Sequence, residues 1–578
     1  MEPNKSNNKW FVFLLVCFPP AIILIFIKNY SVNIPYMDQW DGFLNILSAF
    51  KESSLDFSHL WAQHNEHRLL FPKILMLLLA SISHWNVIWE QYFSFIIQFG
   101  ALLLIFGISR RSLSIQNRII FKISSSILLF SMVQYENWAW GWQIQIFLNI
   151  FAFIFSIWAL SKWPGSWFGL ILAILGAITA TYSFANGMLI WIIVLFWILL
   201  ANTHKKLPFI LIWLFAASGI IISYIYQYKK PSHHPSLLNF LENPLEFFAF
   251  FLTYIGSPFG RSYNLTGSVL FGILGICILF YLIINLLIYR QNALFEKYLP
   301  WLAFILYALS SAFLTGIGRS GFGSTQALYS RYTSFSLLFW VSLFAMMLIY
   351  IESMPHHKII FSPKIIYPFA VILFSFFIIC HSVSYAQGIT SFKNHFIQLS
   401  NIDYLLKYER RYGTERYFST IFPSLQKLSE AIESLRQLKM GVFYKEIKNP
   451  SGIYIQGSYF NMTGRGGARL FTEYDALILD KNSQVSTEID IPESADYRFS
   501  AELGFSPYNG LISIIIDESE IGKTDCRIIN VKKNYYILKW IDYKNISLSK
   551  GVHTLTIKSI NAPNMVKAIT IKNINSAQ

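Results

Sequence analysis

Charged residues are scarce in this sequence of 578 residues: Asp, Glu, Lys and Arg together make up 13%, whereas hydrophobic residues make up 54%. This balance excludes an ordinary soluble domain, in which about a quarter of the residues are charged. Cysteine is also rare, and three of the four cysteines, Cys17, Cys277 and Cys380, lie in apolar runs. Because Cys526 is then isolated in the polar C-terminal part, we expect neither a disulfide framework nor a Cys-x-x-Cys metal site.

A cleavable leader is not apparent either. The first apolar run, 10 to 27, is not followed by the small residues of a signal-peptide cleavage site, so we expect it to remain as a helix. The net charge of +15 would suit a nucleic-acid-binding protein, but here Lys and Arg cluster beside the ends of apolar runs. Membrane topology explains that pattern better than nucleic acid does.

Long apolar runs predict a polytopic α-helical membrane protein, because about 20 apolar residues span the hydrocarbon of a bilayer. The runs are 10–27, 69–83, 86–107, 119–133, 143–160, 167–182, 187–201, 207–226, 268–289, 299–315, 334–351 and 365–383. The short run 69–83 carries Pro72 and Lys73, and we interpret it as a partial or re-entrant segment. The expected number of transmembrane helices is therefore about 11 to 12.

Basic clusters such as Arg110/Arg111/Arg118 and Lys205/Lys206 indicate cytoplasmic loops by the positive-inside rule. The segments 28–68, 134–142, 227–266 and 316–333 are then predicted to face outward. An odd number of crossings, eleven, places the C-terminal region outside as well. We therefore expect a transmembrane domain at 1–384, with its first outward loop at 28–68.

The composition changes after residue 384. Apolar residues at three- and four-residue spacing predict an amphipathic helical connector at 385–445. From 446 to 578, short runs rich in β-branched and aromatic residues alternate with Gly, Pro, Asn, Asp and Ser. This pattern predicts an extracytoplasmic β-sandwich or jelly-roll domain.

The first outward loop carries the densest group of ionisable residues. "YMDQWDGF" contains Asp38 and Asp41, and "HNEHR" contains Glu66 beside two histidines and an arginine. Charges next to hydrocarbon are costly unless they are solvated, paired or used. We predict that Asp38, Asp41 and Glu66 are catalytic, with one aspartate as general base and the others shaping the site. Solvation of an outward loop is the simpler alternative.

Two arginines of the predicted outward segment 316–333, Arg319 and Arg331, run against the positive-inside preference, and Arg68 of the first outward loop is grouped with them. A guanidinium binds phosphate bidentately and stays charged, so these residues are predicted to bind a donor phosphate. The glycines of "TGIGRSGFG" would let backbone amides approach the same anion. Contact with ordinary phospholipid headgroups is the alternative.

A third group of polar residues suits recognition of an acceptor or a sugar, because its imidazoles, amides and carboxylate match hydroxyl groups. These residues are His64, His67, Glu136, Asn137, Gln143 and Asn186. Trp138, Trp140 and Trp142 either form an interfacial belt or stack on a sugar ring. No metal ligand set is assigned, because "HNEH" matches no zinc pattern; a divalent cation is the competing use of His64, Glu66 and His67 with an aspartate.

A multi-helix chain with acidic residues in its first outward loop and a C-terminal domain outside resembles the GT-C class of integral membrane glycosyltransferases. The residues that carry this resemblance are Asp38 and Asp41. It implies that one of them, preferentially Asp38, is the catalytic base and that the donor is a polyprenyl-phosphate-linked sugar. The wider spacing of "DQWD" departs from the adjacent acidic pair common in that class. The β domain likewise looks like carbohydrate-binding sandwiches.

The expected function is transfer of a sugar from a lipid carrier to a glycan, lipid or protein acceptor, at the outer face of a bacterial inner membrane. Membrane lipids, the lipid-linked donor and the acceptor are the expected partners, and nucleic acid is not. Two alternatives stay open: a non-catalytic transporter or flippase of a lipid-linked glycan, and a subunit for assembly of the cell envelope.

Overall fold

The computed structural model describes residues 5–201, 205–231, 235–236, 238–261, 264–289, 292–353, 363–408, 410–444, 452–460, 468–471, 475–528 and 536–574. The chain divides into two compact units. The first comprises Met1–Asn33 and Asp41–Ile397, and the second comprises Ile34–Trp40 and Gln398–Gln578.

Helices build the first unit, as the apolar runs predict. They are Lys5–Tyr30, Leu44–Lys51, Phe57–Trp61, Leu70–Ser83, Ile88–Ser112, Ile115–Leu129, Tyr135–Ala139, Ile144–Lys162, Trp167–Thr181, Leu189–Leu200, Lys206–Ile225, Asn239–Glu242, Pro244–Gly260, Asn264–Tyr289, Asn292–Arg319 and Thr333–Ser353. The short helix Gln39–Gly42 and the long helix Pro363–Leu405 each continue across the division between the units.

Eight helices within the described residues are long and apolar enough to cross a membrane. Three shorter apolar helices accompany them: Leu70–Ser83, Trp167–Thr181 and Ala185–Leu200. The predicted class of polytopic α-helical membrane protein agrees with these helices, and the count of 11 to 12 crossings stays a prediction. Leu70–Ser83 has 14 residues, too few for a full crossing at about 1.5 Å per residue, which suits its interpretation as a partial segment.

The apolar runs did not predict one of the longer helices, which lies in a predicted loop. The segment predicted as an outward loop, 227–266, contains the helix Pro244–Gly260. Its apolar run is interrupted by Glu246 near its start and by Pro258 near its end, so the sequence shows no continuous run of membrane length. Packing against a neighbouring helix supports this helix.

That neighbour is the helix Asn264–Tyr289, and small residues bring the two backbones together. A Cβ added at Gly256 would lie 1.9 Å from the Ser268 carbonyl oxygen, and one at Gly272 would lie 2.1 Å from the Leu252 carbonyl oxygen. Gly260 approaches Ser268 in the same way. The spacing Gly256-x-x-x-Gly260 is the pattern by which helices approach closely in a membrane, where hydrophobic burial does not drive association.

The membrane-length helices differ in the fraction of their residues that is buried inside the protein. Of the membrane-length windows, those of Gly141–Lys162 and Ser330–Ser353 are each 78% buried, whereas those of Trp10–Tyr30 and Lys206–Ile225 are each 22% buried. The first two helices follow the loops 134–142 and 316–333. These are the same loops in which the sequence predicts binding residues.

The second unit is mainly β-structure. Its strands are Arg410–Tyr412, Ile453–Gln456, Ala468–Phe471, Ala476–Leu479, Gln484–Ile491, Ala495–Phe505, Leu511–Ile516, Ser519–Asp525, Ile537–Leu548, Gly551–Ser559 and Asn564–Asn573, with helices at Glu415–Phe418 and Leu425–Gln437. Four strands form one sheet in the order 519–525, 511–516, 551–559, 484–491. The larger sheet runs 537–548, 495–505, 564–573, 453–456, 410–412, and strand 476–479 also pairs with 564–573.

Both sheets contribute to one hydrophobic cluster. Buried side chains of the four-stranded sheet, such as Ile489 and Leu555, share it with Phe499 and Ile569 of the larger sheet. Alternation of buried and exposed residues along Gln484–Ile491 turns one face of that strand toward the cluster. The predicted β-rich C-terminal region is therefore present, and its assignment as a sandwich or jelly roll stays a prediction.

The helix crossing at Gly256 predicts a specific loss of stability. We expect Gly256→Ala to lower the thermal unfolding midpoint of the purified protein, by the equivalent of about 1–3 kcal/mol, because the new methyl group overlaps a backbone oxygen. The matched control is Gly219→Ala, at a helical glycine whose Cβ would meet nothing within 4 Å. Alanine favours a helix over glycine, so the control should unfold at the wild-type midpoint or slightly above it. Equal midpoints for the two variants would contradict the close crossing.

Candidate functional site

A short hairpin organises the first outward loop. The strands Gln63–His64 and His67–Arg68 pair antiparallel, with His64 opposite His67. The turn places Asn65 at a φ of 48°, in the left-handed region that asparagine tolerates better than most residues. We call residues 63–68 the hairpin; its tight turn explains why "HNEHR" brings four ionisable groups together.

Arg68 fixes the hairpin from inside the fold. The residue is 3% exposed, and its guanidinium donates to backbone carbonyls, with Nε 2.8 Å from the Tyr224 oxygen and Nη1 3.0 Å from the Trp61 oxygen. Nη2 donates to the carbonyl of Tyr226. These carbonyls lie at the C-terminal ends of two helices, where unpaired carbonyl oxygens need donors. The contacts favour a structural role, so donor-phosphate binding by Arg68 stays an untested prediction.

Lys73, like Arg68, donates hydrogen bonds to backbone carbonyls at a helix end, a role that the sequence does not reveal. Its side chain is buried, and Nζ lies 2.7 Å from the Ala62 carbonyl oxygen and 3.2 Å from that of His59. The lysine therefore satisfies carbonyls at the end of helix Phe57–Trp61. The only signal in the sequence was a cation within an apolar run.

Glu66 and Arg319 form the ion pair of the site. Glu66, at the hairpin turn, accepts a hydrogen bond from Arg319 Nη2 at 2.7 Å, and both side chains are less than a quarter exposed. Arg319 is the last residue of the helix Asn292–Arg319. The structure thus brings together a residue predicted as catalytic and one predicted to bind phosphate, 253 positions apart in the chain.

The pKa of the Glu66 carboxyl depends on this ion pair. Burial would raise the pKa of the Glu66 carboxyl, but the neighbouring His67 and Arg319 and the hydrogen bond from Arg319 outweigh it and lower the pKa to about 2. Glu66 Oε1 lies 3.6 Å from His67 Nε2. A carboxyl with this pKa is ionised at neutral pH. Glu66 is therefore better suited to holding the charged Arg319 guanidinium in place than to donating a proton.

His67 and Asn186 lie at the same place in the bundle. The His67 ring stacks on Phe184 with 4.1 Å between centroids, and its Nδ1 accepts a hydrogen bond from the Ala185 amide at 3.1 Å. Asn186 follows directly and is 7% exposed, and its Nδ2 has no hydrogen-bond partner among the described residues. A buried amide without a partner is costly, and a ligand oxygen would satisfy it.

Asp41 and His64 form the second part of the site. The Asp41 carboxylate is exposed, and one of its oxygens lies within 4.8 Å of a ring nitrogen of His64. The His64 ring meets Trp142 edge to face at 5.1 Å between centroids. Asp38 lies three residues before Asp41, in the segment Ile34–Trp40 that belongs to the second unit. Of Asp38 and Asp41, Asp41 is thus the one that shares a unit with the hairpin.

Glu136, Asn137 and Arg331 form a separate group. The Glu136 carboxylate accepts from Ser330 Oγ at 2.7 Å and from the Arg331 amide at 3.1 Å, and Asn137 Nδ2 donates to the Arg331 carbonyl at 3.1 Å. The Arg331 guanidinium lies over the ring of Tyr329, 4.7 Å from its centroid. These contacts tie the loop 134–142 to the segment 330–334, and a ligand-binding role for the three residues stays a prediction.

The tryptophans of "NWAWGW" lie inside the bundle. Trp138 is fully buried, packs on Phe147 and donates from Nε1 to the Ser131 carbonyl. Trp142 is 2% exposed and contacts His64. Gln143 is equally buried, and its Oε1 has no hydrogen-bond partner among the described residues. Their burial favours neither an interfacial belt nor an exposed stacking platform.

Comparisons with known proteins add little to this geometry. No protein-family model matches the chain, and no curated protein matches it. Solved structures with partial similarity include the C-terminal CBM6 of LamC from Zobellia galactanivorans, at 14% identity over 21% of this chain and 99% of that chain, with a TM-score of 0.18. The carbohydrate-binding module CBM6cm-2 of Cellvibrio mixtus lichenase 5A, in complex with cellotriose, has 18% identity over 21% of this chain and 95% of that one, with a TM-score of 0.18.

A GH115 4-O-methyl-alpha-glucuronidase shares 12% identity over 38% of this chain and 34% of its own, with a TM-score of 0.19. At these TM-scores the similarities support no conclusion about the activity or the ligand of this chain. The resemblance to GT-C enzymes therefore stays a prediction.

The Glu66 ion pair predicts a particular dependence of stability on pH. A carboxyl whose pKa is lower in the folded state stabilises the protein above its unfolded pKa of about 4.5, and this contribution is lost as the pH falls toward about 2. We expect the thermal midpoint of the wild type to fall more steeply between about pH 5 and 3 than that of Glu66→Gln. The exposed Glu242, replaced by Gln, is the control and should follow the wild type. Parallel curves for wild type and Glu66→Gln would contradict the pairing.

Proposed function

We propose that the protein is an integral membrane glycosyltransferase that moves a sugar from a polyprenyl-phosphate carrier to an acceptor at the outer face of a bacterial inner membrane. The observation that carries the proposal is the hairpin, which holds the Glu66–Arg319 pair and sets His64 beside the exposed carboxylate of Asp41. The membrane-length helices support a lipid-linked donor, because such a donor resides in a bilayer.

Sugar transfer to a hydroxyl needs a group that accepts the proton as the new glycosidic bond forms and the bond to phosphate breaks. We assign this base to Asp41, because its carboxylate is exposed and lies in the same unit as His64 and Glu66. The resemblance to GT-C enzymes favours Asp38 instead, so both aspartates belong in the test. A positioned base contributes about 10²–10⁴-fold to the rate of such reactions.

Arg319 is the residue that we assign to the donor phosphate. The bond from Nη2 to Glu66 uses one of its five N–H donors, and the side chain keeps 22% of its surface exposed. Glu66 thus orients the guanidinium, which would compensate the charge of the departing phosphate. Arg331, whose guanidinium rests on Tyr329, is a second candidate for this role. Arg68 has no part in the proposal, since its donors are used by backbone carbonyls.

Hydroxyl groups of the sugar or acceptor would meet the polar residues beside the hairpin. Asn186 Nδ2 offers a donor and Gln143 Oε1 an acceptor, and neither has a partner among the described residues. Asn186 follows the Ala185 amide that binds His67, and Gln143 follows Trp142, which touches His64. Each of the two residues thus directly follows a residue that contacts a hairpin side chain.

A divalent cation is a candidate cofactor that competes with the assignment of Asp41 as base, because a carboxylate bound to a cation is a weaker base. Asp41 and His64 offer a carboxylate oxygen and an imidazole nitrogen within 4.8 Å of each other, a donor pair that suits Mn²⁺ or Zn²⁺ better than Mg²⁺. Asp38 adds a further carboxylate to the same loop. A bound cation would supply positive charge for the donor phosphate.

The base is tested with purified full-length protein in liposomes that contain a radiolabelled polyprenyl-phosphate hexose and soluble oligosaccharide acceptors. We expect the wild type to form product and Asp41→Asn to lose at least about 100-fold in rate, because the amide cannot accept the proton. Asp38→Asn is measured in parallel, and a loss confined to that variant would move the base to Asp38.

The matched control is Asp56→Asn, which makes the same change in the same loop. Asp56 caps the helix Phe57–Trp61, a position that asparagine fills equally well, so this variant should keep wild-type activity and stability. Full activity in both Asp41→Asn and Asp38→Asn would overturn the assignment. Movement of the labelled lipid across the bilayer without product would favour a transporter, and neither event would favour an assembly subunit.

A further inference from the structure

A cavity lies within the mainly β unit, remote in sequence from the hairpin. Its volume is about 210 Å³, and its walls include Tyr404, Tyr417, Tyr454, Glu502, Trp540 and Lys567. The helix that ends at Leu405 supplies Tyr404, and the larger sheet supplies Tyr454, Glu502, Trp540 and Lys567. We propose that this cavity is a saccharide-binding site that holds one residue of a neutral glycan.

Aromatic rings provide the apolar part of the site. Trp540 is 41% exposed and Tyr404 is 38% exposed, so two ring systems present surface at the cavity. Trp540 sits directly opposite Glu502 in the antiparallel pairing of strands 537–548 and 495–505. An aromatic ring with a polar partner beside it suits a pyranose, which has an apolar face of C–H groups and a rim of hydroxyl groups.

Glu502 and Lys567 provide the polar part. Their charged atoms lie 3.4 Å apart, and the two side chains are only 16% and 29% exposed. A carboxylate accepts hydrogen bonds and an ammonium donates them, so together they match a hydroxyl group, which does both. The pair has no net charge, and this argues for a neutral sugar rather than a phosphate or an acidic chain.

Hydrogen bonds hold two further residues of the cavity wall, Tyr454 and Tyr417, in place. Tyr454 donates from its hydroxyl to Gln456 Oε1 at 2.9 Å, and Tyr417 donates to Asp475 Oδ2 at 2.6 Å. Gln456 Nε2 in turn donates to the Asp475 carbonyl at 2.6 Å. A site whose walls are fixed before binding loses less entropy when a ligand enters.

The size of the cavity restricts the ligand. A volume of about 210 Å³ is below the range of about 300–1,000 Å³ that is usual for drug-sized ligands. One sugar residue would occupy the cavity, while its neighbours in the chain would extend over the exposed Trp540. The inference does not depend on the transfer reaction, because none of its residues belongs to the hairpin site.

Binding is measured by saturation-transfer NMR and titration on the full-length protein in detergent, with tetrasaccharides of glucose, mannose, galactose and N-acetylglucosamine as probes. We expect at least one tetrasaccharide to bind the wild type. Trp540→Ala should weaken that binding at least 10-fold through loss of the stacking surface, and Glu502→Gln should weaken it by leaving Lys567 without its charge partner. Trp540→Phe, which keeps an aromatic face, should restore most of the affinity.

The matched control is Tyr508→Ala, at an aromatic residue of the same unit that is 58% exposed and lies outside the cavity walls. It should bind like the wild type, and so should Asp41→Asn, which separates this site from the proposed transfer site. Thermal midpoints of all variants establish that the unit is folded. Absence of binding by all four tetrasaccharides, or affinity unchanged in folded Trp540→Ala, would overturn the proposal.

Discussion

The buried guanidinium of Arg68 is the interaction on which the hairpin site depends. A charge in the interior is costly unless polar groups replace its lost hydration. Here the replacement comes from backbone carbonyls at the ends of the helices Phe57–Trp61 and Lys206–Ile225. One side chain therefore joins two helix ends to the second strand of the hairpin. The positions of His64, Glu66 and His67 all follow from that junction.

Arg319 shows how the same residue type serves a different purpose. Its partner is a carboxylate rather than carbonyl groups, and more of its side chain is open to solvent. The ion pair with Glu66 thus fixes the position of the Arg319 guanidinium without using all of its N–H donors. Arg68, the structural arginine, follows Glu66 in the hairpin, and Arg319, the more accessible one, pairs with Glu66 from the end of a helix distant in sequence.

The sequence could predict the class of fold and the crowded loop, but not the partners of each charge. Apolar runs located most helices because membrane length is a property of composition; Pro244–Gly260 escaped because its stability comes from the glycine contacts with its neighbour. Likewise, "HNEHR" revealed a density of ionisable groups, whereas the separate roles of Arg68 and Arg319 depend on which atoms face them. The roles of Lys73 and Tyr224 were missed for the same reason, since the Lys73 ammonium donates to the Ala62 carbonyl and the Tyr224 hydroxyl donates to the Glu66 carbonyl.

The low pKa of Glu66 also bears on the conditions under which the site keeps its charge pattern. In the folded protein this carboxyl stays ionised down to about pH 2, well into the acid range. An aqueous phase outside a cell changes its acidity with the environment, unlike the buffered interior. If the hairpin faces that phase, as the distribution of basic residues predicts, Glu66 and Arg319 would keep their charges through wide changes of external acidity.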